Sequence, residues 1–242
     1  MLEQNFQAAD LGGNNSVSEW RLHWLEAEGE LQPWRTQIIS EIKAGRTAIS
    51  RLISPPRLDI LVQRRAGAVI PEIGMVGRAY RKSLFALTFD PDNERFSACL
   101  SDGSVRRQVA HEVHHCLRMA GPGYGDTLGE VLVSEGLAGR FVGRLFGSPP
   151  EPWERAVDDE ALRVNHPDLE ALRSTTYDHA AWFVGAGGLR PRWLGYTLGY
   201  EIVGKWLDGA GEVDGITWIN VPAHTVLSAT WGECARPILL PG

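Results

Sequence analysis

The chain has 242 residues, 43% of them hydrophobic and 22% charged, which is enough to bury the core of an ordinary globular domain. Its net charge of −6 and pI near 5.7 argue against nucleic-acid binding, and its basic residues form pairs rather than clusters. No stretch reaches 18 apolar residues, and the N-terminus lacks the basic and apolar regions of a signal peptide. We therefore expect no nucleic-acid or membrane partner and a cytoplasmic location; the oligomeric state stays open.

Three cysteines, Cys99, Cys116 and Cys234, have neither the spacing of a metal site nor the even number of a disulfide framework. Cys116 directly follows His115 and is the one that could be mistaken for a metal ligand. On a helix it would point about 100° away from His115. We therefore expect Cys116 to be a small buried residue.

The first part of the chain, residues 1–56, is predicted to be a helical segment packed on the core. Trp20, Trp24 and Leu25 have the spacing of one helix face and predict a helix over residues 17–27. A second helix is expected to open at Pro33, because proline is favoured at the first helical position. Two further prolines, Pro55 and Pro56, would end the segment.

The hydrophobic pattern changes after these prolines, where the main domain, residues 57–242, is expected to begin. Branched apolar residues predict strands at Leu58–Gln63 and Leu84–Phe89. The segment between them, Val69–Tyr80, contains Pro71, Gly74 and Gly77, and it is ambiguous between a strand and a loop.

The next helix carries the motif that organises the chain, His111-Glu112-Val113-His114-His115. Positions i and i+4 lie one above the other on a helix, so His111 and His115 can direct two ring nitrogens at one point. Glu112 lies about 100° further round the same helix. This H-E-x-x-H pattern is typical of a zinc site in which the glutamate acts on a water molecule. Ser101 or Ser104 is expected to cap the helix.

A catalytic zinc ion needs a third protein ligand. The metzincin continuation would require glycine and histidine where this chain has Arg118 and Gly121, so that class is excluded. A second, largely apolar helix, capped by Asp126, instead carries Glu135, separated from His115 by 19 residues. This arrangement matches the His₂Glu ligand set of thermolysin-type enzymes. Glu130 lies about 140° away from Glu135 on the same helix, which favours an exposed acid or a partner of a metal-bound histidine.

Beyond these ligands, the sequence resembles a bacterial family described as predicted zinc-dependent proteases, which originated as a domain of unknown function. The resemblance rests on HEVHH, VSEGLAGRF, WFVG and GYTLGY and extends from about Leu84 to Leu207. It implies an α+β gluzincin fold with a small mixed or antiparallel sheet, an active-site helix and a mostly helical C-terminal half. It also implies Zn²⁺ held by His111, His115 and Glu135, with Glu112 as the catalytic base.

The same resemblance implies a peptide or protein substrate bound in an extended conformation. In gluzincins the strand over the site offers a free edge to the substrate main chain. We assign this role to Leu84–Phe89, and the alternative is that these residues form an ordinary inner strand.

A further hydrogen-bond donor is expected to stabilise the oxyanion of the reaction. The candidates are Tyr196, Tyr200 and His179, of which we rank Tyr196 first and His179 second. Tyr196 and Tyr200 are four residues apart, so both could point the same way; each could instead be a buried tyrosine bonded to the backbone. His114 is expected to pack near the site or to support a ligand from behind it.

The predicted function is therefore a zinc metallopeptidase that hydrolyses peptide bonds. Two alternatives stay open: a non-hydrolytic, zinc-containing binding module on the same fold, and a metallohydrolase of a non-peptide amide. Glu112 argues against the binding module, because a purely structural zinc site needs no base and usually has four protein ligands.

Overall fold

A mixed four-stranded sheet and ten α-helices make up the part of the chain that the structure, a computed structural model, describes, which is residues 20–232. The strands lie in the order β1-β2-β4-β3, and only the β3–β4 pair is antiparallel. Their bounds are β1 Trp20–Leu25, β2 Leu58–Arg64, β3 Met75–Arg81 and β4 Leu84–Phe89. The α+β class with a small mixed sheet is confirmed. The chain ends, including Cys234, lie outside the described residues.

Most of the helices follow the sheet in the chain, as predicted for a helical C-terminal half. The first helix, α1 (Arg35–Ile49), follows a short 3₁₀ turn that contains Pro33. The remaining nine are α2 Phe96–Cys99, α3 Ser104–Ala120, α4 Leu128–Phe146, α5 Asp159–Val164, α6 Leu169–Arg173, α7 His179–Val184, α8 Leu194–Ala210, α9 Gly215–Asn220 and α10 Ala223–Trp231. Within the described residues, none of these helices is both long and apolar enough to cross a membrane.

The helix predicted over residues 17–27 is wrong in its described part, because Trp20–Leu25 is the edge strand β1. A spacing of four places Trp20 and Trp24 on one face of a helix, but it also places them on one face of a strand. Parallel pairing with β2, in the register Trp20↔Leu58, resolves this ambiguity. The indole N–H of Trp20 also donates to the carbonyl of Pro56 at 2.9 Å. The segment predicted to be helical therefore supplies one strand of the main sheet.

In the described part of the chain, the edge of the sheet opposite β1 is β3, formed by the segment that was ambiguous in the sequence. A turn between Ile70 and Met75, with Gly74 at φ +70°, leads into β3, and the tight connection at Lys82 and Ser83 then reverses the chain so that β4 runs antiparallel to β3. The prediction that Leu84–Phe89 offers the free edge is therefore wrong, and the alternative of an inner strand holds. Phe85 to Phe89 are all buried, which fits a strand paired on both sides.

One face of the sheet packs against α1 and α3. This packing sets the distance between α3 and the strands. Phe85, Leu87 and Phe89 of β4 are fully buried, as are Val109 and Val113 of α3. Each such side chain contributes about 1.5–3 kcal/mol relative to an exposed one.

The starts of α3 and α4 differ in detail from the prediction. Ser104 is the first residue of α3 rather than its cap, and the Asp102 carboxylate accepts hydrogen bonds from its N–H and hydroxyl at 2.8 and 2.6 Å. Neither Ser101 nor Ser104 therefore caps the helix. Thr127, and not Asp126, caps α4, in a reciprocal arrangement with Glu130.

Candidate active site

The structure brings the three predicted metal ligands together in a buried cluster. His111 and His115 extend from one face of α3, and their Nε2 atoms lie 3.2 and 3.4 Å from Oε2 of Glu135 on α4. One nitrogen or oxygen atom of each residue lies within 4.8 Å of the others. The i, i+4 spacing on α3 and the return of α4 alongside it are what create this convergence.

The negative charge of Glu135 makes this cluster a favourable place for a positive charge. Burial disfavours the charged form of His111, but a hydrogen bond and the negative charge of Glu135 outweigh burial and raise its pKa to about 9. Burial would also raise the pKa of Glu135, but the charge of His115 and hydrogen bonds from both histidines hold it well below its usual range. Two imidazoles and one carboxylate, converging and buried, fit the ligand set of a catalytic zinc ion.

The rival acid Glu130 lies at the start of α4 and has a different role. Its carboxylate accepts hydrogen bonds from the N–H groups of Asp126 and Thr127 at 3.0 Å, and from the Thr127 hydroxyl at 2.9 Å. It is therefore neither an exposed acid nor the partner of a histidine ligand. It fixes the first turn of the helix that carries Glu135.

Tyr124 is a component of the site that the sequence analysis missed. Its hydroxyl donates a hydrogen bond to Oε1 of Glu135, and its ring stands edge-on to His115 at 5.1 Å. The Ser134 hydroxyl donates to the Tyr124 carbonyl at 2.5 Å, and the buried Arg118 guanidinium donates to the Ser134 hydroxyl at 3.2 Å. One carboxylate oxygen of Glu135 thus accepts a hydrogen bond from Tyr124, and the other faces His111 and His115. It is the only aromatic residue in the glycine-rich connection between α3 and α4, which is the one signal that could have identified it.

Glu112 lies beside the ligand cluster, with 4% of its surface exposed. The Gln108 side-chain amide, one turn earlier on α3, donates to its Oε1 at 2.8 Å. The backbone of β3 passes directly over it at Gly77, where a Cβ atom would lie 2.6 Å from Cγ and Oε1 of Glu112. The absence of a side chain at Gly77 thus lets the free sheet edge approach Glu112.

The three candidate oxyanion donors lie in different surroundings. Tyr196 packs edge-on against Phe183 at 5.1 Å, and the exposed His179 stacks on the same ring at 4.5 Å. Burial raises the pKa of Tyr196, and the negative charges of Glu135 and Glu112 raise it further, so its hydroxyl keeps its proton. Tyr200 instead lies under the Arg140 guanidinium, 3.6 Å from the ring centroid. Despite their spacing of four, Tyr196 and Tyr200 have different neighbours.

His114 and Cys116 flank His115 and face the protein interior. His114 is fully buried, its Nε2 lies 3.2 Å from the Trp218 carbonyl, and its ring packs near Phe141. Burial, with the nearby charges of His115 and Arg118, lowers its pKa well below the usual range. Cys116 is buried, as predicted, and burial raises the pKa of its thiol to about 12.

The helices that carry Glu135 and Tyr196 touch through their backbones. A Cβ atom at Gly136 would lie 2.0 Å from the carbonyl oxygen of Gly199, and one at Gly199 would lie 2.2 Å from the carbonyl oxygen of Leu132. No real Cβ atom approaches so closely, so α4 and α8 can cross in this way only with glycine at both positions.

Another buried acid near the site, Glu154, packs against Gly139, which lies one turn beyond Glu135 on α4. Its Oε2 accepts a hydrogen bond from the N–H of Glu151 at 2.8 Å, and its Oε1 is buried with no hydrogen-bond partner among the described residues. The carboxylate of Glu154 fits here because Gly139 has no side chain: a Cβ atom on Gly139 would lie 2.1 Å from Oε1. Burial raises the pKa of Glu154 to about 7.

The raised pKa of Glu154 is expected to contribute a decrease in stability as the pH rises. Between the ordinary pKa of 4.5 and about 7, the folded chain binds more protons than the unfolded chain, so the free energy of unfolding decreases with pH. At about 1.36 kcal/mol per pH unit, the loss is at most about 3 kcal/mol and is complete above the folded pKa. Glu154→Gln removes this dependence, and urea unfolding at pH 5 and pH 8 measures it. Equal pH slopes for Glu154→Gln and the exposed control Glu160→Gln would contradict this account.

Comparison with known proteins places the chain in a family. The family described as "Predicted Zn-dependent protease (DUF2268)" matches residues 38–228. The chain is also 30% identical over 142 residues to "Uncharacterized protein YjaZ" of Bacillus subtilis (strain 168). That match covers 55% of this chain and about half, 53%, of the relative. No solved structure matches the chain. Since the matched region includes both helices of the ligand cluster and most of the described chain, the protein belongs to the predicted Zn-dependent protease family.

Proposed function

We propose that the protein is a zinc-dependent metallopeptidase in which Glu112 activates the attacking water. The observation that carries this proposal is that Glu112 belongs to the same motif as the two histidines but lies apart from the three converging ligands. His111, His115 and Glu135 converge on one point, whereas Glu112 stays outside that cluster and accepts a hydrogen bond from the Gln108 amide. A structural zinc site would not require such a carboxylate beside its ligands.

The metal and the side chains would supply different parts of the chemistry. When bound, zinc polarises a carbonyl group and lowers the pKa of a coordinated water toward ~7. Glu112 accepts the proton of the attacking water and delivers it to the leaving nitrogen. Gln108 orients Glu112, and Tyr124 orients Glu135, so both carboxylates are fixed before the substrate arrives.

The substrate we propose is a peptide in extended conformation, paired with β3 as in gluzincins. Within the described residues, no strand pairs with the outer edge of β3, where only Met75 is engaged, through its carbonyl and the N–H of Ile70. Main-chain hydrogen bonds from Gly77 onward would provide affinity with little dependence on side chains. Because Gly77 of this strand lies over Glu112, a peptide on the edge would pass the base and the ligand cluster.

Tyr196 is the donor that we propose for the oxyanion, since burial and the nearby charges of Glu135 and Glu112 raise the pKa of this half-buried side chain and keep its hydroxyl protonated. Tyr196→Phe is expected to lower kcat by about 10²–10³ while KM changes little, because the hydroxyl acts in the transition state. Steady-state kinetics with Tyr200→Phe and His179→Ala as comparisons tests this. A smaller loss of kcat for Tyr196→Phe than for both comparisons would show that the donor is misassigned.

Digestion of a library of unstructured peptides, with zinc and with a chelator, tests the function itself. We expect cleavage by the zinc-loaded protein, none after chelation, and recovery when zinc is restored. Tight zinc binding without any cleavage would overturn the proposed activity and favour the non-hydrolytic binding module.

A further inference from the structure

The outer edge of β3 offers only a short stretch to a substrate strand. At one end, the carbonyl of Met75 already accepts a hydrogen bond from the N–H of Ile70. Main-chain groups of successive residues in a strand point alternately to its two sides, so those of Gly77 and Ala79 also point outward. Those of Arg78, between them, face β4. The pairing with β4 becomes irregular after Ala79, so these three residues are the ones at which a substrate strand can pair regularly.

Arg78 lies at the centre of this stretch, and its side chain is on the face of the sheet turned away from α3. Gly77 faces α3, since a Cβ atom there would lie 2.6 Å from Cγ of Glu112. Successive side chains alternate between the two faces of a strand, so Arg78 points to the opposite one. Its side chain is exposed, and its guanidinium lies 5.5 Å from the centroid of the Tyr80 ring. Among the residues that the structure describes, Arg78 forms no ion pair.

This part of the chain is basic, although the protein as a whole has a net charge of −6. Residues 73–89 contain no aspartate or glutamate and three basic residues, Arg78, Arg81 and Lys82. Burial lowers the pKa of His179 on α7; among the nearby charges, that of Glu135 opposes this shift and that of Arg78 adds to it. The charge of Arg78 therefore acts on a residue that also lies within electrostatic range of the ligand cluster.

We propose that Arg78 selects substrates that carry an acidic side chain at the position paired with it. The inference rests on the proposed peptidase function and specifies its substrate class as acidic peptides. The residue of a paired strand that lies directly opposite Arg78 has its side chain on the same face, with Cβ atoms about 5 Å apart. A substrate carboxylate there meets a guanidinium that has no other ion partner among the described residues.

The selected position lies close to the bond that is cut. Arg78 directly follows Gly77, which lies over Glu112. A strand advances about 3.4 Å per residue, so the acidic residue lies within about two residues of the scissile bond.

Edge strands also carry charged side chains for a different reason, which is to prevent pairing with further chains. A charge of either sign gives that protection, whereas the selection of an acidic side chain requires a positive charge. Reversing the charge of Arg78 therefore distinguishes the two roles.

A scan of one substrate tests the proposal. A peptide that the zinc-loaded wild type cleaves is resynthesised with Glu, Gln or Lys at each position in turn, and kcat/KM is measured for each peptide. At one position near the scissile bond we expect Glu to exceed Gln by up to about fivefold, the factor associated with one exposed ion pair, and Lys to be the poorest. Equal values for Glu and Lys at every position near that bond, or a preference for Lys, would overturn the proposal.

Charge reversal in the enzyme tests the residue itself. Arg78→Glu is expected to invert the order at that position, so that Lys becomes the best residue, and Arg78→Lys is expected to keep the wild-type order. Lys82→Glu is the matched control, because it makes the same change of charge in the turn between β3 and β4, outside the pairing stretch. An unchanged order in Arg78→Glu, or an equal inversion in Lys82→Glu, would show that Arg78 does not select the substrate.

Binding measurements separate this inference from the proposed function. Labelled peptides of alternating Glu-Thr and Lys-Thr sequence place all their charges on one face of an extended strand. The zinc-loaded Glu112→Gln protein should bind the Glu-Thr peptide more tightly, and adding Arg78→Glu should reverse this order. If the wild type cleaves nothing, the peptidase proposal fails while this comparison still decides the role of Arg78. The same order of affinities in both proteins would rule that role out.

Discussion

Glu112→Gln is expected to abolish turnover while leaving the fold and the metal content unchanged. The substitution preserves shape and removes only the group that accepts the proton. The loss should exceed ~10²-fold, the lower limit for a positioned general base. Peptide hydrolysis, followed by elemental analysis and thermal unfolding of the same sample, measures all three properties.

Gln108→Ala is the informative comparison, because Gln108 contacts Glu112 without being placed to act on substrate. We expect a smaller loss there, since the carboxylate remains but is less well oriented. A near-normal rate in Glu112→Gln would remove the general-base role and leave the metal as the principal source of catalysis.

Glu135→Ala is expected to lose zinc, and His111→Ala and His115→Ala should behave in the same way. Each substitution leaves two ligands of a three-ligand site. The loss of affinity should exceed the ~10–100-fold typical when only an outer partner of a ligand is removed. Competition with a chromogenic chelator measures the affinity, and elemental analysis measures the occupancy of the purified protein.

Glu130→Ala is the matched control on the same helix. It removes the reciprocal cap of α4 and should cost about 0.5–2 kcal/mol of stability with zinc retained. Full zinc occupancy in Glu135→Ala, or equal losses in the two variants, would contradict the assignment of Glu135 as the third ligand.

The ligand cluster was predictable because its geometry is local. The spacing of His111 and His115 within one helix fixes their relative direction, and the acid in a mostly apolar helix identified Glu135. The strands at Leu58 and Leu84 were predictable for a similar reason, since runs of branched apolar residues fit a buried strand whatever its partners.

The contributions of distant chain segments were not predictable from one sequence. The spacing of Trp20 and Trp24 fits a helix and a strand alike, and only pairing with β2 distinguishes them. The free edge was assigned to the wrong strand because Gly77 within β3 and Gly74 just before it weaken the strand pattern of that segment. Tyr124 lies in a connection without periodicity, and its contact with Glu135 depends on how α3 and α4 pack.

The glycine contact between α4 and α8 bears on how this protein can tolerate mutation. Gly136 directly follows Glu135, and Gly199 lies three residues after Tyr196, so the spacing of these two side chains is set by main chain against main chain. Elsewhere in the core, a change in side-chain volume can be absorbed by neighbouring side chains. At Gly136 and Gly199 the two main chains meet directly, so a side chain added there has backbone rather than a movable side chain to displace. The spacing of Glu135 and Tyr196 therefore depends on two positions, Gly136 and Gly199, where adding a single methyl group is expected to force the two helices apart.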